Sequence, residues 1–405
     1  MRNFIPFKES INKIDDVTLT LFPTKKSFIS EALNSILAED IIAVENSPAY
    51  PTSGMDGYAI KATDQELKQL TITDKNPAGS VTDSIVTTGT CIKTFTGSLM
   101  PQGSDTLIPI ENVTVNGDTI TINESVPTGF AVREIGENYR ENEVLIKKGT
   151  KIGFAHIGVL ASLNIPQVKI YANPTVAIAS TGSEVLDLGE VQSNQAQIRS
   201  SNHLTIEALA KKAGAHTIQM GTVKDDIDSI TQLLEEGLSQ ANIVVTTGGV
   251  SVGDYDFVQD VVKTRLNATV LFHGVSMKPG MHVLVAIKEG KFIIALPGFA
   301  YSSTVCAIIY MLHTIYKFRN GKETLKIMQA KIRHDFPKKA NKTIFSACNV
   351  SYENGEYMVD FEGKKSGTSA ILTNMLGNTA LLIQEENSQD IQAGQSVDII
   401  LLDHL

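Results

Sequence analysis

The residues best suited to chemistry form one run, Val244-Val245-Thr246-Thr247-Gly248-Gly249-Val250-Ser251-Val252-Gly253-Asp254-Tyr255-Asp256. A β-branched stretch ends in two glycines, followed by a hydroxyl, a third glycine, two acids and a helical pattern. Glycines let backbone N–H groups approach a ligand closely, and a following helix N-terminus favours negative charge. Two carboxylates beside an anion cradle make chemical sense when a cation is shared between them and the ligand. Glycine-rich turns at strand ends are also ordinary in α/β proteins, so the run needs company.

Other acids supply it. Glu184 follows Ser180-Thr181-Gly182-Ser183 at the end of an apolar strand, and Asp225-Asp226 follow a second strand. With Asp256 after a third, three acids at successive strand ends converge on one crevice, a set fit for Mg²⁺ or a metal-phosphate group. The plain alternative is helix capping, open to Asp226 directly before Ile227 and to Asp256 before its own helix. Lys278-Pro279-Gly280 adds a point charge for phosphate on a tight turn, and Leu296-Pro297-Gly298 offers a floor for the same crevice.

The elements that must position these groups alternate from Asn173 to Asn320. Strands are expected at Thr175–Ala179, Thr217–Val223 and Ile243–Thr246. A hairpin is expected at Val283–Ile287 and Phe292–Leu296 around Glu289-Gly290. Helical stripes fall at Leu204/Ala208/Leu209, Ile227/Ile230/Leu234/Leu238, Phe257/Val258/Val261/Val262 and Ser302–Lys317. Such alternation implies a mainly parallel sheet with ligands at the carboxyl ends of the strands. Thr71–Glu124 is Thr- and Gly-rich and reads as all-β. Residues 1–45 carry an amphipathic stretch near Ser27–Ala43, and Gly153–Leu163 is helix-like. After Gly321, segments Lys326–Arg333, Tyr357–Phe361, Thr379–Gln384 and Val397–Leu402 suggest a small β-barrel. The expected domains are a discontinuous linker and dimerisation domain (1–46 and 140–172), an inserted β domain (47–139), an α/β domain (173–320) and a C-terminal β-barrel (321–405).

Composition bounds the function. The chain has 405 residues, 42% hydrophobic and 20% charged, as a multidomain globular protein does. A net charge of −9 gives no electrostatic footprint for nucleic acid, while leaving room for a small anionic ligand. Cys91, Cys306 and Cys348 show no CxxC pair, which fits a reducing compartment. The N-terminus lacks an apolar signal core, and Val305–Leu312 is far short of the roughly 20 residues of a membrane span. The chain is therefore expected to be cytoplasmic, with neither a membrane nor nucleic acid as partner.

Two further segments are weak turn signals alone: Ser53-Gly54-Met55-Asp56-Gly57-Tyr58-Ala59 and Phe95-Thr96-Gly97-Ser98. Taken in order with Arg133, Gly136-Glu137, Thr181–Glu184, Ser201-Asn202, Asp225-Asp226, Gly248–Gly253, Lys278–Gly280 and Leu296–Gly298, they resemble the molybdopterin molybdenumtransferase (MoeA and gephyrin E-domain) family. The resemblance implies a central MogA-like α/β domain, and an enzyme that inserts molybdate into adenylylated molybdopterin with Mg²⁺-dependent release of AMP. It implies a homodimer, with molybdopterin adenylyltransferase and molybdoenzymes as candidate partners. Carried over, Glu184, Asp225 and Asp256 hold Mg²⁺. Lys278 and the Gly248, Gly249 and Ser251 backbone meet phosphate, with Pro279, Gly280, Pro297 and Gly298 shaping the pocket. Asn202 orients the ligand, and Asp56 and Thr96 reach in from the partner subunit.

The chain departs from the family pattern in places. It has Phe299-Ala300 where the family usually has Asn-Pro, Asn138 where Asp is usual, Ser200 where Asp is common, and His273 where Lys is common. Phe299 is expected to pack under its loop or narrow the pocket. A molybdopterin-binding paralogue or chaperone without metal insertion is the competing reading, and an adenylyltransferase-like domain alone would lack the Met55–Ala59 segment.

Overall fold

The computed structural model describes residues 4–19, 22–250, 257–320, 324–365 and 369–405. Contacts divide the chain into two compact units. One comprises 1–38, 149–157 and 167–405, and the other 39–148 with 158–166.

The first unit is built on a six-stranded sheet. Its strands are β1 (Thr175–Thr181), β2 (His216–Val223), β3 (Ile243–Thr247), β4 (Thr269–His273), β5 (Leu284–Lys288) and β6 (Lys291–Leu296), in spatial order β2-β1-β3-β6-β5-β4. β2, β1, β3 and β6 run parallel. β5 returns antiparallel through the Glu289-Gly290 turn, and β4 pairs antiparallel with β5. Both turn residues have positive φ, which makes Gly290 apt there.

The parallel strands read as nearly unbroken apolar runs because both faces are covered. Alternate residues point to opposite sides. Val176, Ile178, Val245 and Ile294 pack with Ile206, Ala210 and Val305, while Ala177, Val244 and Ile293 pack with Ile230, Leu234 and Leu238. Each such fully buried branched side chain stabilises the fold by roughly 1.5–3 kcal/mol. The helices supplying these faces are α1 (Asn202–Lys212), α2 (Ile227–Gln240), a short turn Val258–Asp260 continued in π geometry over Val261–Arg265, and a last helix. That last helix runs from Ala300–Cys306 through a π-helical Ala307–Met311 into Leu312–Phe318. Nearly all of it is buried, which explains its uniform apolarity.

Beyond it, Ile327–Ile332, Thr343–Glu353, Glu356–Asp360, Thr379–Gln384 and Ser396–Leu401 close into a five-stranded barrel. The sequence reading missed Thr343–Glu353, the barrel's longest strand, because its buried positions are nearly contiguous and show no clean alternation. It also missed the helix Phe7–Asp15. The stretch Ser27–Ala43 takes in the end of the strand Thr24–Phe28, which pairs with Gln167–Tyr171, then a single 3₁₀ turn and the short strand Ile41–Ile42.

The second unit is mainly β, as its composition implied. Its sheet runs in the order Thr106–Pro109, Gly57–Ile60, Thr90–Thr94, Gln69–Asn76, Thr119–Ile122, Val113–Asn116. Tyr58, Ile60, Leu70, Cys91, Ile108 and Ile120 form its core. Among the described residues no helix is long and apolar enough to cross a membrane.

Candidate active site

At the carboxyl ends of β1, β3 and β6 lies a cleft of about 980 Å³ lined by Glu184, Asn202, Asp225, Gly248, Gly249, Lys278, Pro279, Gly280, Pro297 and Gly298. This is where a doubly wound sheet places ligands. Among the described residues, the sequence-derived candidates at these strand ends therefore come together.

Backbone contacts explain the glycines. A Cβ on Gly248 would stand 2.6 Å from the Thr181 carbonyl oxygen, and one on Gly249 would stand 3.1 Å from Thr181 Oγ1. A Cβ on Gly298 would stand 3.7 Å from the Gly248 Cα, and one on Gly280 would overlap Cys306 Sγ at 2.2 Å. Gly248 also donates its N–H to the Leu296 carbonyl at 3.0 Å, tying the ends of β3 and β6 together. The cleft floor is thus bare main chain.

Glu184 lines the cleft and folds back on Gly182. A Cβ on Gly182, whose φ is 142°, would stand 2.8 Å from Val185 Cγ2 and 3.1 Å from both Glu184 carboxylate oxygens, so the carboxylate lies close against the Gly182 backbone. In the lining of the same cleft a hydroxyl chain runs through Ser200 Oγ, Ser180 Oγ and Thr247 Oγ1 at 3.3 and 3.2 Å. Ser200 Oγ also meets His203 Nδ1 at 2.7 Å. Asn202 donates from Nδ2 to the Gly298 carbonyl at 2.7 Å, so it acts on the floor through the loop.

The neighbouring acids divide their work. Asp226 caps α2, accepting the Ser229 N–H at 2.8 Å, and hydrogen bonding from Ser229, its hydroxyl first and then this N–H, holds the carboxyl below the usual range. Asp225 lines the cleft instead. Lys278 belongs to a short strand, Met277–Lys278, that pairs in parallel with Thr343–Ile344 of the barrel, whereas the sequence suggested a free loop. Arg199 and Lys342 also line the cleft and were not singled out. Lys342 comes from the C-terminal region, and no local pattern connects it to the strand ends. Together with Lys278 they make a locally cationic wall in a chain whose net charge is −9.

Phe299 decides between its two expected placements. It lines the cleft and is 64% exposed, so it does not pack beneath its loop. It takes the N-cap position of the last helix without offering a side-chain cap, as a hydrocarbon must. His273 bonds through Nε2 to the Val250 carbonyl at 3.3 Å.

Asp56 and Thr96 belong to the second unit, where they meet each other. Thr96 donates both its N–H and its hydroxyl to Asp56 Oδ1, each at 2.8 Å, and these bonds lower the Asp56 pKa. Ser251 and Asp256 lie outside the described residues. Among the described residues no group of three or more His, Cys, Asp or Glu gathers to hold a metal ion.

The chain matches three family models in succession: the MoeA N-terminal region (domain I and II) over residues 5–164, "Probable molybdopterin binding domain" over 177–316, and the MoeA C-terminal region (domain IV) over 329–402. It is 32% identical over 408 residues to a molybdopterin molybdenumtransferase of Staphylococcus aureus (strain Mu50 / ATCC 700699), covering 99% of this chain and 96% of that relative. The corresponding enzyme of Staphylococcus epidermidis (strain ATCC 12228 / FDA PCI 1200) is 30% identical over 384 residues, with 92% and 90% covered. The crystal structure of the molybdopterin biosynthesis MoeA protein from Pyrococcus horikoshii OT3 superposes with a TM-score of 0.84 at 28% identity, covering 98% of this chain and all of that one. On these matches the chain belongs to the molybdopterin molybdenumtransferase family, transferases of molybdenum cofactor biosynthesis.

Proposed function

We propose that the chain takes adenylylated molybdopterin and molybdate, inserts the metal into the pterin dithiolene and releases AMP with the help of Mg²⁺. The carrying observation is the cleft itself: a bare main-chain floor at Gly248 and Gly298, two carboxylates, and a cationic wall at the ends of parallel strands. Breaking the phosphoanhydride adds water across the P–O–P linkage, so the protein's task is positioning and charge stabilisation.

Glu184 and Asp225, with the hydroxyls of Ser180 and Thr181, are hard oxygen donors suited to Mg²⁺, and the Glu184 carboxylate lies against Gly182 in the cleft lining. Asp256 is the third proposed ligand. Bound Mg²⁺ would neutralise charge on the phosphates. Lys278 and Arg199 would attract the phosphates, and the Gly248 and Gly249 backbone, with Ser251, would cradle them. Pro279, Gly280 and Pro297 fix the walls. Asn202 holds the Gly298 loop in register for the ligand.

Asp56 and Thr96 complete the proposed catalytic set. The reading includes a homodimer working in the cytoplasm, supported by the family resemblance and by three cysteines that stay free and buried.

The test is AMP release by the purified chain from adenylylated molybdopterin with Mg²⁺ and molybdate, followed by reconstitution of a molybdoenzyme apoprotein. Metal-dependent AMP release that fails in Asp225→Asn supports the proposal. Tight pterin binding with no AMP release would favour the binding-only reading.

A further inference from the structure

The two halves of the Asp56–Thr96 pair are held by different means. Asp56 directly precedes the strand Gly57–Ile60, which is paired along both edges, and its carbonyl accepts the Ile110 N–H at 3.3 Å. A Cβ on Gly57 would stand 2.2 Å from the Ile108 carbonyl oxygen, so the chain beside Asp56 has no room to shift. Thr96 lies instead on the turn of residues 95–98, where it and Gly97 are exposed. The Ser98 N–H closes this turn on the Phe95 carbonyl at 3.0 Å, and Gly97 has a φ of 79°. Exposed turns are ordinarily among the more mobile parts of a chain, so two donors kept on one carboxylate oxygen need an anchor.

Asn76 supplies it. It ends the strand Gln69–Asn76 and is 1% exposed. Its backbone carbonyl accepts the Phe95 N–H at 3.3 Å and the Ser98 hydroxyl at 2.9 Å. Its side-chain Nδ2 donates to the Leu99 carbonyl at 2.7 Å. One buried residue thus grips the turn at its start and at its end. The turn in turn exchanges two bonds with Ser53: Gly97 N–H to the Ser53 carbonyl and Ser53 N–H to the Ser98 carbonyl, both 2.8 Å. Ser53 Oγ donates to the Met55 carbonyl at 2.6 Å, which shapes the turn carrying Asp56. Asn76 Oδ1 is buried with no hydrogen-bond partner among the described residues. A buried, unused acceptor makes a carboxamide a poor choice for stability alone, so its contribution lies in the donor.

We propose that Asn76 is a positioning residue for the reaction: by clasping both ends of the turn it keeps the two Thr96 donors on Asp56 and so fixes how that carboxylate faces the substrate. The inference rests on the function proposed above for the action of Asp56 on substrate, whereas the clasp itself does not depend on it.

The test compares full-length Asn76→Leu and Ser98→Ala with wild type, Thr96→Val and Asp56→Asn. Asn76→Leu roughly keeps the volume and removes the bond to Leu99, and Ser98→Ala removes the hydroxyl bond to Asn76. Three quantities are read: the Asp56 midpoint by carboxyl NMR titration, AMP-release kinetics with adenylylated molybdopterin, and Tm. Thr96 hydrogen bonds hold the Asp56 pKa down, its N–H first and its hydroxyl next, with Lys93 adding a smaller pull in the same direction. In both clasp variants the midpoint should therefore rise toward 3.8, as in Thr96→Val. The kcat for AMP release should fall roughly tenfold with KM little changed, because a misplaced group loses its reacting geometry. Tm should fall by on the order of a few degrees. A lowered Tm with midpoint and kcat both at wild-type values would mean a purely structural Asn76 and overturn the proposal. An unmoved midpoint in both variants would overturn it too, as would a kcat that holds in them while Asp56→Asn loses activity. If Asn76→Leu does not fold, Ser98→Ala decides by the same criteria. If Asp56→Asn releases AMP at the wild-type rate, the catalytic reading of Asp56 fails, and the midpoint alone decides whether the clasp stands.

Discussion

Thr96 holds Asp56 by two donors at once, its backbone N–H and its hydroxyl, both 2.8 Å from the same carboxylate oxygen. The pair fixes a carboxylate that is otherwise open to solvent, and lowers its pKa below the ordinary 3.8. A depressed carboxyl contributes stability that is fully present above its unfolded pKa and is lost as pH falls through the folded value. Thr96→Val removes the hydroxyl bond while keeping the N–H. Carboxyl NMR titration should then show the Asp56 midpoint moving up toward 3.8, and an unmoved midpoint would contradict the assigned cause.

Asp225 and Asp226 are adjacent, yet their replacements should separate. Asp226→Ala removes the cap on Ser229 and should lower Tm by on the order of a few degrees, with AMP release retained. Asp225→Asn should leave Tm nearly intact and slow AMP release by on the order of 10²-fold or more. Similar kinetic losses in both variants would count against the division of labour.

Gly248 tests the cleft floor. Gly248→Ala puts a methyl group 2.6 Å from the Thr181 carbonyl at a φ of 96°. The backbone conformation alone costs about 1–3 kcal/mol, and the clash adds to it. Thermal unfolding should register the loss, and AMP affinity should fall with it. A variant as stable as wild type would show that the floor is less close-packed than described.

Phe299 offers a milder test. Its side chain is 64% exposed, so Phe299→Asn with Ala300→Pro should hardly change Tm. The pair should instead shift the apparent affinity for molybdate or the adenylylated pterin more than turnover. If the native chain releases no AMP and the double replacement switches release on, the enzyme reading of the native chain fails.

The three cysteines should be silent. Burial pushes the Cys91 thiol up to about 12, and it raises Cys306 and Cys348 as well. Thiolates are the reactive form, so a disulfide reagent should label none of them at neutral pH until the chain is unfolded. Rapid labelling of the native protein would refute this.

Much of the site was legible because its elements are local. β1, β3 and the β5–β6 hairpin announce themselves as apolar runs leading into glycine; Glu184 and Gly248 follow the ends of β1 and β3, and Asp225 follows the end of β2. Lys342 and Ser369 reach the cleft from more than forty residues beyond β6, and nothing in their own neighbourhoods marks them. Asn76 lies in the stretch read as all-β, and its grip on the turn of residues 95–98 is visible only when its neighbours are in place. The strand Thr343–Glu353 was hidden for a related reason: packed against barrel neighbours on either side, it lacks the in-out rhythm that betrays a half-buried strand.

The pairing of Met277–Lys278 with Thr343–Ile344 has a bearing on how this protein can be altered. A ladder runs from the cleft lysine straight into the C-terminal domain, and Tyr301 reinforces it by accepting the Ala347 N–H and donating to the Phe345 carbonyl. The barrel is therefore not a detachable appendage. Swapping it for the corresponding segment of a relative, or cutting the gene after the last helix, would displace the charge that faces the substrate, so evolution and engineering alike must revise the two parts together.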